Sequence, residues 1–311
     1  MPSGDRLEES LKKMPLSGDF PCPRTLSVVI PAYNEEAAIV ATIQRCQNAL
    51  AFLGRENLEI LVVDDGSTDR TGELARQQGI TVQRHPTKGG YGLSLKDGIR
   101  TAKFDTIAIS DADGSYPVEE IPTLLEKYAQ GFDMVVGART GKHFRGTFLK
   151  YPMRLISRWM VEFTVGQRIP DVNSGLRIFS KQECMALFNH LCNHFSFTTS
   201  LTLGYIMGSK FLASVPIPFF ARVGVSKVRF SRDSLRTLQF IVHAILYYNP
   251  LKIFLLLCAV ILIFAFRCFT VTLVAHLTST FLLGLGSILP SFIIFSLGLL
   301  AELMHQIMIK D

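Results

Sequence analysis

The chain has 311 residues, 48% of them hydrophobic, and a formal net charge of +6, a length that allows one large domain or two modest ones. Acids run through the first half while bases crowd between Arg139 and Lys252, which calls for an anionic partner: phosphate, anionic lipid or nucleic acid. No pair of its six cysteines has Cys-x-x-Cys spacing, which argues against a disulfide framework or zinc site and fits reduced thiols in a cytosolic compartment.

In chain order, residues 1–24 read as a flexible polar tail punctuated by Pro and Gly, without the apolar core of a secretory signal. Residues 26–30 (LSVVI) predict a buried strand ending at Pro31. Ile39, Ile43, Cys46, Leu50 and Leu53 then recur at helical spacing. A second strand is predicted over 58–63, a helix over 71–78 stopped by Gly79, and a short strand near 81–83. A helix over 94–102, a strand over 106–110, a helix over 119–128 and a strand over 134–137 follow. Such alternation predicts an α/β domain with a mostly parallel sheet covered on both faces. Ligands in such sheets bind beyond the carboxyl ends of the strands. Tyr33-Asn34-Glu35, Asp64-Asp65 and Asp111–Asp113 all fall at such ends.

Residues 253–275 form an apolar stretch broken by one charge, Arg267, and residues 281–302 form another with Glu302 at its edge. Each is long enough to cross a hydrocarbon core of roughly 30 Å. The link His276–Thr280 has no Lys or Arg, whereas Lys227, Arg229, Arg232, Arg236 and Lys252 precede the first span. This asymmetry predicts a transmembrane hairpin with both ends and the α/β domain in the cytosol. A hairpin buried in a soluble protein is the alternative. Residues 233–249 carry an apolar stripe, which fits an interfacial helix or ordinary packing. Arg267 is expected to snorkel or pair. His190 and His194 share helical spacing but lack a third ligand, so they read as surface or packing residues.

Asp111 and Asp113, just past an apolar strand, can reach one hard cation, Mg²⁺ or Mn²⁺, that also takes phosphate oxygens. Such a pair is also common in solvated turns. The second cluster, Asp64-Asp65-Gly66-Ser67, can accept hydrogen bonds from a base or ribose. Asp65, Ser67 and Asp69 could equally serve turn and cap chemistry. Pro31-Ala32-Tyr33-Asn34-Glu35-Glu36 can flank a nucleoside with Tyr33, or simply open a helix with first-turn acids.

Taken together, PAYNEE, VVDDGSTDRT and ISDADGSYP, in this order and spacing, resemble the inverting glycosyltransferase family 2, of the nucleotide-binding GT-A fold. The resemblance is strong over about residues 25–140. It implies that Pro31, Tyr33, Glu35, Asp65 and Lys88 (in HPTKGGYG) line the nucleotide, and that Asp111 and Asp113 handle metal and diphosphate. Further on, GAR at 137–139, DVNSGLRIF at 171–179 and RVGVSK at 222–227 resemble the dolichol-phosphate mannose synthase and polyprenyl-phosphate glycosyltransferase group. By that resemblance Arg139 and Arg222, with one of Arg154 and Arg158, bind the lipid phosphate, joined by Ser174, Ser226 and Lys227. Arg139 is also expected in the catalytic set with the two aspartates. Many such synthases have Gln where this chain has Ser115, which leaves the sugar donor open.

The resulting expectation is a Rossmann-like GT-A domain over 25–230, a juxtamembrane helix over 231–250, a transmembrane hairpin over 251–305 and a cytosolic tail over 306–311. The expected enzyme moves a hexose from a UDP- or GDP-sugar to undecaprenyl or dolichyl phosphate, with inversion, at the cytosolic face of a prokaryotic inner or plasma membrane. Mg²⁺ or Mn²⁺ is the expected cofactor and membrane lipid a partner, with homo-oligomerisation open and no nucleic acid. Another lipid or glycan acceptor, or a non-catalytic nucleotide-sugar-binding subunit, are the alternatives.

Overall fold

The computed structural model describes residues 23–141, 162, 166, 169–194, 196–222, 239, 242 and 250–310. The apolar runs and amphipathic stretches become β1 (Leu26–Ala32), α1 (Ile39–Ala49), β2 (Leu58–Asp64), α2 (Thr71–Gln77), β3 (Thr81–Arg84), α3 (Tyr91–Thr101), β4 (Thr106–Ile109), α4 (Ile121–Tyr128) and β5 (Met134–Thr140). Four elements were not foreseen: β6 (Arg177–Ser180), α5 (Lys181–Ala186), α6 (Phe197–Met207) and β7 (Leu212–Pro218). The described strands form a seven-stranded sheet in the order β3-β2-β1-β4-β6-β5-β7. It is mostly parallel, as predicted, with β6 running antiparallel to both β4 and β5.

Strand β1 extends through Pro31, two residues beyond its last pairing with β4 at Val29. From there β1 has a neighbour on one side only, β2, so the missing proline N–H costs no inner ladder bond. All seven residues of β1 are buried. Leu26, Val28 and Ile30 face one core with Ile39, Ile43 and Cys46 of α1. On the other side, Gly98 lets α3 lie close on the sheet. A Cβ there would stand 2.5 Å from Val29 Cγ1 and 2.9 Å from Val63 Cγ2. Helix α3 starts three residues before the predicted Ser94, because the Gly90 carbonyl already accepts the Ser94 N–H at 3.0 Å.

The chain divides into two compact units. The sheet with α1–α5 belongs to the first unit. Asn189–Ser209, containing α6, groups with the second. In α6 every residue from Phe197 to Tyr205 is buried. Its Ser200 and Thr202 hydroxyls turn back onto the carbonyls of Phe197 and Thr198, both at 2.9 Å. Such back-bonding satisfies a hydroxyl that would otherwise be costly inside a core.

Also in the second unit are α7 (Pro250–Ala275) and α8 (Thr278–Lys310). They form a hairpin turned at His276, whose φ is 53°. Gly298 seats against Phe254, and the hydroxyls of Thr272 and Thr280 meet at 2.7 Å across the turn. Both helices are long and apolar enough to cross a membrane. Only 17% of the most apolar window of each is buried, unlike the core helix of a soluble protein. Leu262, Ile263, Phe266, Leu282 and Phe292 point outward, as side chains do where lipid is the solvent. Helix α8 continues to Lys310, through the residues set apart as a tail. Residues 1–22 of the predicted N-terminal tail and most of the predicted juxtamembrane helix lie outside the described residues.

Candidate active site

Strands β2, β1 and β4 are adjacent, and the chain passes from β1 to opposite sides of it in reaching β2 and β4. Their carboxyl ends therefore flank the crevice that open α/β sheets use for ligands. This places Tyr33–Glu35, Asp64–Ser67 and Asp111–Asp113 at neighbouring strand ends.

Local hydrogen bonds fix the first two loops to each other. Asn34 adopts φ 53°, a left-handed conformation that Asn tolerates. Its N–H donates to Ser67 Oγ at 2.9 Å and its Oδ1 accepts the Thr68 N–H at 2.8 Å. The Glu35 N–H donates to Thr71 Oγ1 at 2.8 Å, and Asp69 Oδ1 accepts the Thr71 N–H at 3.0 Å. Much of DDGSTDRT is therefore turn and cap chemistry, the plainer of its two readings.

Asp65 follows the same logic. Its carboxylate is buried and accepts the Gly89 N–H at 2.8 Å and the Gly90 N–H at 2.9 Å. It thereby anchors the loop that carries Lys88. The Lys88 ammonium stands 3.6 Å from the centroid of the Tyr33 ring, within cation–π range. Tyr33 and Lys88, expected near the nucleotide, are thus brought together, while Asp65 supports them from behind.

Asp113 is buried, and its Oδ1 accepts Ser115 Oγ at 2.5 Å and the Ser115 N–H at 3.0 Å. Ser115 closes this turn. Asp113 Oδ2 faces Arg222 Nε at 3.4 Å, and Arg222 Nη2 also donates to Glu35 Oε1. One guanidinium thus bridges the β1 and β4 ends. It joins Glu35, expected at the nucleoside, with Asp113, expected at the metal, and with an arginine expected at the lipid phosphate. Arg139 stacks over Phe219, 5.3 Å from the ring centroid, and its positive field reaches Asp111.

Asp111 accepts Tyr91 Oη at 2.8 Å. Burial and Asp111 push the Tyr91 phenol well above its usual range, so it stays a donor. Gly175 approaches from the other side. A Cβ there would lie 3.0 Å from both Asp111 carboxylate oxygens, so only glycine leaves the carboxylate its place. The Gly175 N–H donates to Tyr116 Oη at 2.6 Å. Ser174 is fully buried and its hydroxyl donates to the Gly137 carbonyl at 2.5 Å, which pins β6 to β5. Arg177, also fully buried, donates Nη2 to the Ser174 carbonyl at 2.6 Å. Pro31 sits buried in β1. Arg154, Arg158, Ser226 and Lys227 lie outside the described residues. Sequence reasoning missed Tyr91, Tyr116, His85 and Arg177; the nearest signal was the Gly-Gly-Tyr-Gly run, which opens α3 beside Asp111.

Burial pushes the Asp111 carboxyl up from about 3.8 to about 7, and the Asp113 charge adds to the rise, while Tyr91, Arg139 and Arg222 oppose it. Between those values the folded chain holds a proton that the unfolded chain has lost. Stability from this site therefore falls as pH rises from about 4 to about 7, and stays low above that. Asp111→Asn should flatten that slope in melting temperatures taken with chelator present. A slope identical to that of the parent protein would refute the assignment.

The same crowding of acids is what a divalent cation would relieve, so Asp111 and Asp113 fit one. Among the described residues no group of three or more His, Cys, Asp or Glu could hold a metal. A cation held there would take its remaining ligands from water or a bound anion.

The sequence matches the family described as Glycosyl transferase family 2 over residues 27–190. One relative is the undecaprenyl-phosphate 4-deoxy-4-formamido-L-arabinose transferase of Pseudomonas aeruginosa, 36% identical over 162 residues, which covers 50% of this chain and 47% of that protein. A low-salt glycan biosynthesis hexosyltransferase of Haloferax volcanii is 34% identical over 187 residues, 58% of this chain and 44% of its own length. The chain spans about half the length of the curated relatives it matches. Among solved structures, glucosyl-3-phosphoglycerate synthase from Mycobacterium tuberculosis, in complex with Mn²⁺, UDP and phosphoglyceric acid, superposes with a TM-score of 0.58 at 21% identity. That likeness covers 71% of this chain and 78% of the synthase, and it establishes a shared fold.

Proposed function

We propose, from the premise that the chain belongs to glycosyl transferase family 2, that it transfers a sugar from a nucleoside-diphosphate donor to the phosphate of a polyprenyl lipid. The observation that carries this reading is Arg222, whose guanidinium lies between Glu35 and Asp113. A group suited to gripping a phosphate monoester is thereby held at the acidic cluster suited to a cation and diphosphate. The relatives named for undecaprenyl-phosphate transfer and the two long apolar helices support a lipid acceptor.

In the proposed reaction an oxygen of the lipid phosphate attacks the anomeric carbon. The carbon–oxygen bond to the nucleoside diphosphate breaks on the opposite face, and configuration inverts. A phosphate monoester has a second pKa of about 6 and is largely ionised near neutral pH. The nucleophile therefore needs no side-chain base, and the chain's task is positioning and charge stabilisation. Bound at Asp111 and Asp113, Mg²⁺ or Mn²⁺ would offset the charge of the departing diphosphate. Tyr33 and Lys88 flank the nucleotide. Arg222 and Arg139 hold the acceptor phosphate, with Arg154 or Arg158, Ser226 and Lys227 as further proposed contacts. The charge asymmetry around the hairpin supports a cytosolic site.

Purified protein incubated with radiolabelled UDP- and GDP-sugars, divalent cation and undecaprenyl phosphate should yield labelled lipid that is lost when the lipid phosphate is omitted. Label passing only to a water-soluble acceptor, or no transfer from any donor, would overturn the proposal.

A further inference from the structure

We infer that His85 is a positioning residue for the donor nucleotide, acting through Asp65 and the loop that Asp65 anchors. This rests on the reading of a nucleoside-diphosphate donor above.

His85 follows β3, the last strand at one end of the sheet, and its N–H donates to the Asp64 carbonyl at 2.9 Å. That bond delivers the imidazole beside Asp65. Nδ1 meets Asp65 Oδ1 at 2.9 Å in a hydrogen bond, while Nε2 lies 3.2 Å from Asp97 Oδ2 without hydrogen-bond geometry. The side chains of His85 and Asp65 are 11% and 5% exposed, so water competes little for the Nδ1 contact. With both ring nitrogens against carboxylates, the imidazole is not placed to exchange protons with a substrate.

Its geometry instead makes it a tie. The Asp65 carboxylate has three described hydrogen-bond partners: His85 and the Gly89 and Gly90 N–H groups. Asp97 lies on α3, the helix that this same loop enters. His85 therefore links the strand end that carries Asp65 to the helix whose first residue, Tyr91, donates to Asp111. Between the two ties lies Lys88, over Tyr33. Loss of the imidazole would leave Asp65 buried with its two backbone donors and free the loop from one side. The loop holds Lys88 over Tyr33, at the proposed nucleotide site, so donor binding should suffer before chemistry does.

The test compares the full-length protein with His85→Phe, His85→Asn and His85→Gln. Binding of UDP and of GDP is measured by titration calorimetry with Mn²⁺, alongside steady-state kinetics. Asn can reproduce the Nδ1 donor toward Asp65, whereas Gln reaches toward Asp97. His85→Phe should weaken nucleotide binding and raise donor KM by about tenfold, the value of a hydrogen bond to a buried charge. Its kcat at saturating donor should stay within about threefold of the parent value, an interaction lost equally from ground and transition states. His85→Asn should recover most of the affinity, and His85→Gln should recover less. Should the Phe variant fail to fold, the order of Asn above Gln carries the test. Equal affinity in all variants, Gln above Asn, or a fall in kcat at unchanged KM would overturn the inference while leaving the donor reading intact. A parent protein that binds neither UDP nor GDP would overturn both.

Discussion

Asp113→Ala is expected to lower turnover by about a thousandfold or more, the loss typical when a group stabilising transition-state charge is removed. The protein should remain folded and membrane-bound. Asp113 Oδ1 is engaged by Ser115 and its Oδ2 faces Arg222, so this carboxylate joins the turn to the guanidinium at the proposed cation site. Asp113→Asn separates charge from shape. It keeps an oxygen for the Ser115 turn but removes the negative charge, and its turnover should fall nearly as far. Circular dichroism and thermal melts check folding, and single-turnover transfer checks chemistry. Near-parental turnover in either variant would remove Asp113 from the mechanism.

The second large effect is expected at Arg222. Arg222→Lys should reduce kcat/KM for the lipid phosphate on the order of 100-fold, which is a charge-assisted interaction of about 3 kcal/mol. Binding of UDP or GDP should change little. Lysine keeps the charge but loses the planar fork that lets one side chain touch Glu35 and Asp113 together. Glu35→Gln provides the counterpart, since it leaves the guanidinium in place but removes one of its two anchors. Its loss should be smaller and should appear in acceptor KM. The measurement is transfer rate against undecaprenyl phosphate concentration at saturating donor. A Lys variant indistinguishable from the parent, or one that loses nucleotide binding instead, would sink the acceptor role.

The first half of the fold was legible because its parallel strands are apolar on both faces. Runs such as LSVVI and LEILVV have few other uses, and their carboxyl ends announced the crevice. The start of α3 was obscured by Gly89 and Gly90, residues that argue for a loop until the carbonyl of Gly90 is seen to cap the helix. Strand β7 carries Pro216 and Pro218, which argue against a strand unless it lies at the end of a sheet, as this one does. Strand β6 is four residues long and begins with a buried arginine, a poor strand signal by any local measure. For the site, residue types were readable but directions were not. Nothing local says that Asp65 turns toward Gly89 and Gly90 and away from solvent. The pairing of Glu35 with Arg222 spans 187 positions. Such partners are chosen by topology, which periodicity and spacing do not encode.

The reversed direction of β6 has a further bearing on the connection that joins it to β5. As β5 and β6 are antiparallel neighbours, the chain leaves the sheet beyond Thr140 and re-enters before Arg177 at the same rim, where Ser174 clasps Gly137. The connection between them therefore starts and ends at one rim of the sheet, with Gly175 at its end set against Asp111. Doubling its length would cost only about 0.6 kcal/mol in closure entropy. A longer or shorter connection there would therefore leave the pairing of β5 with β6, and the seat of Asp111 against Gly175, unchanged.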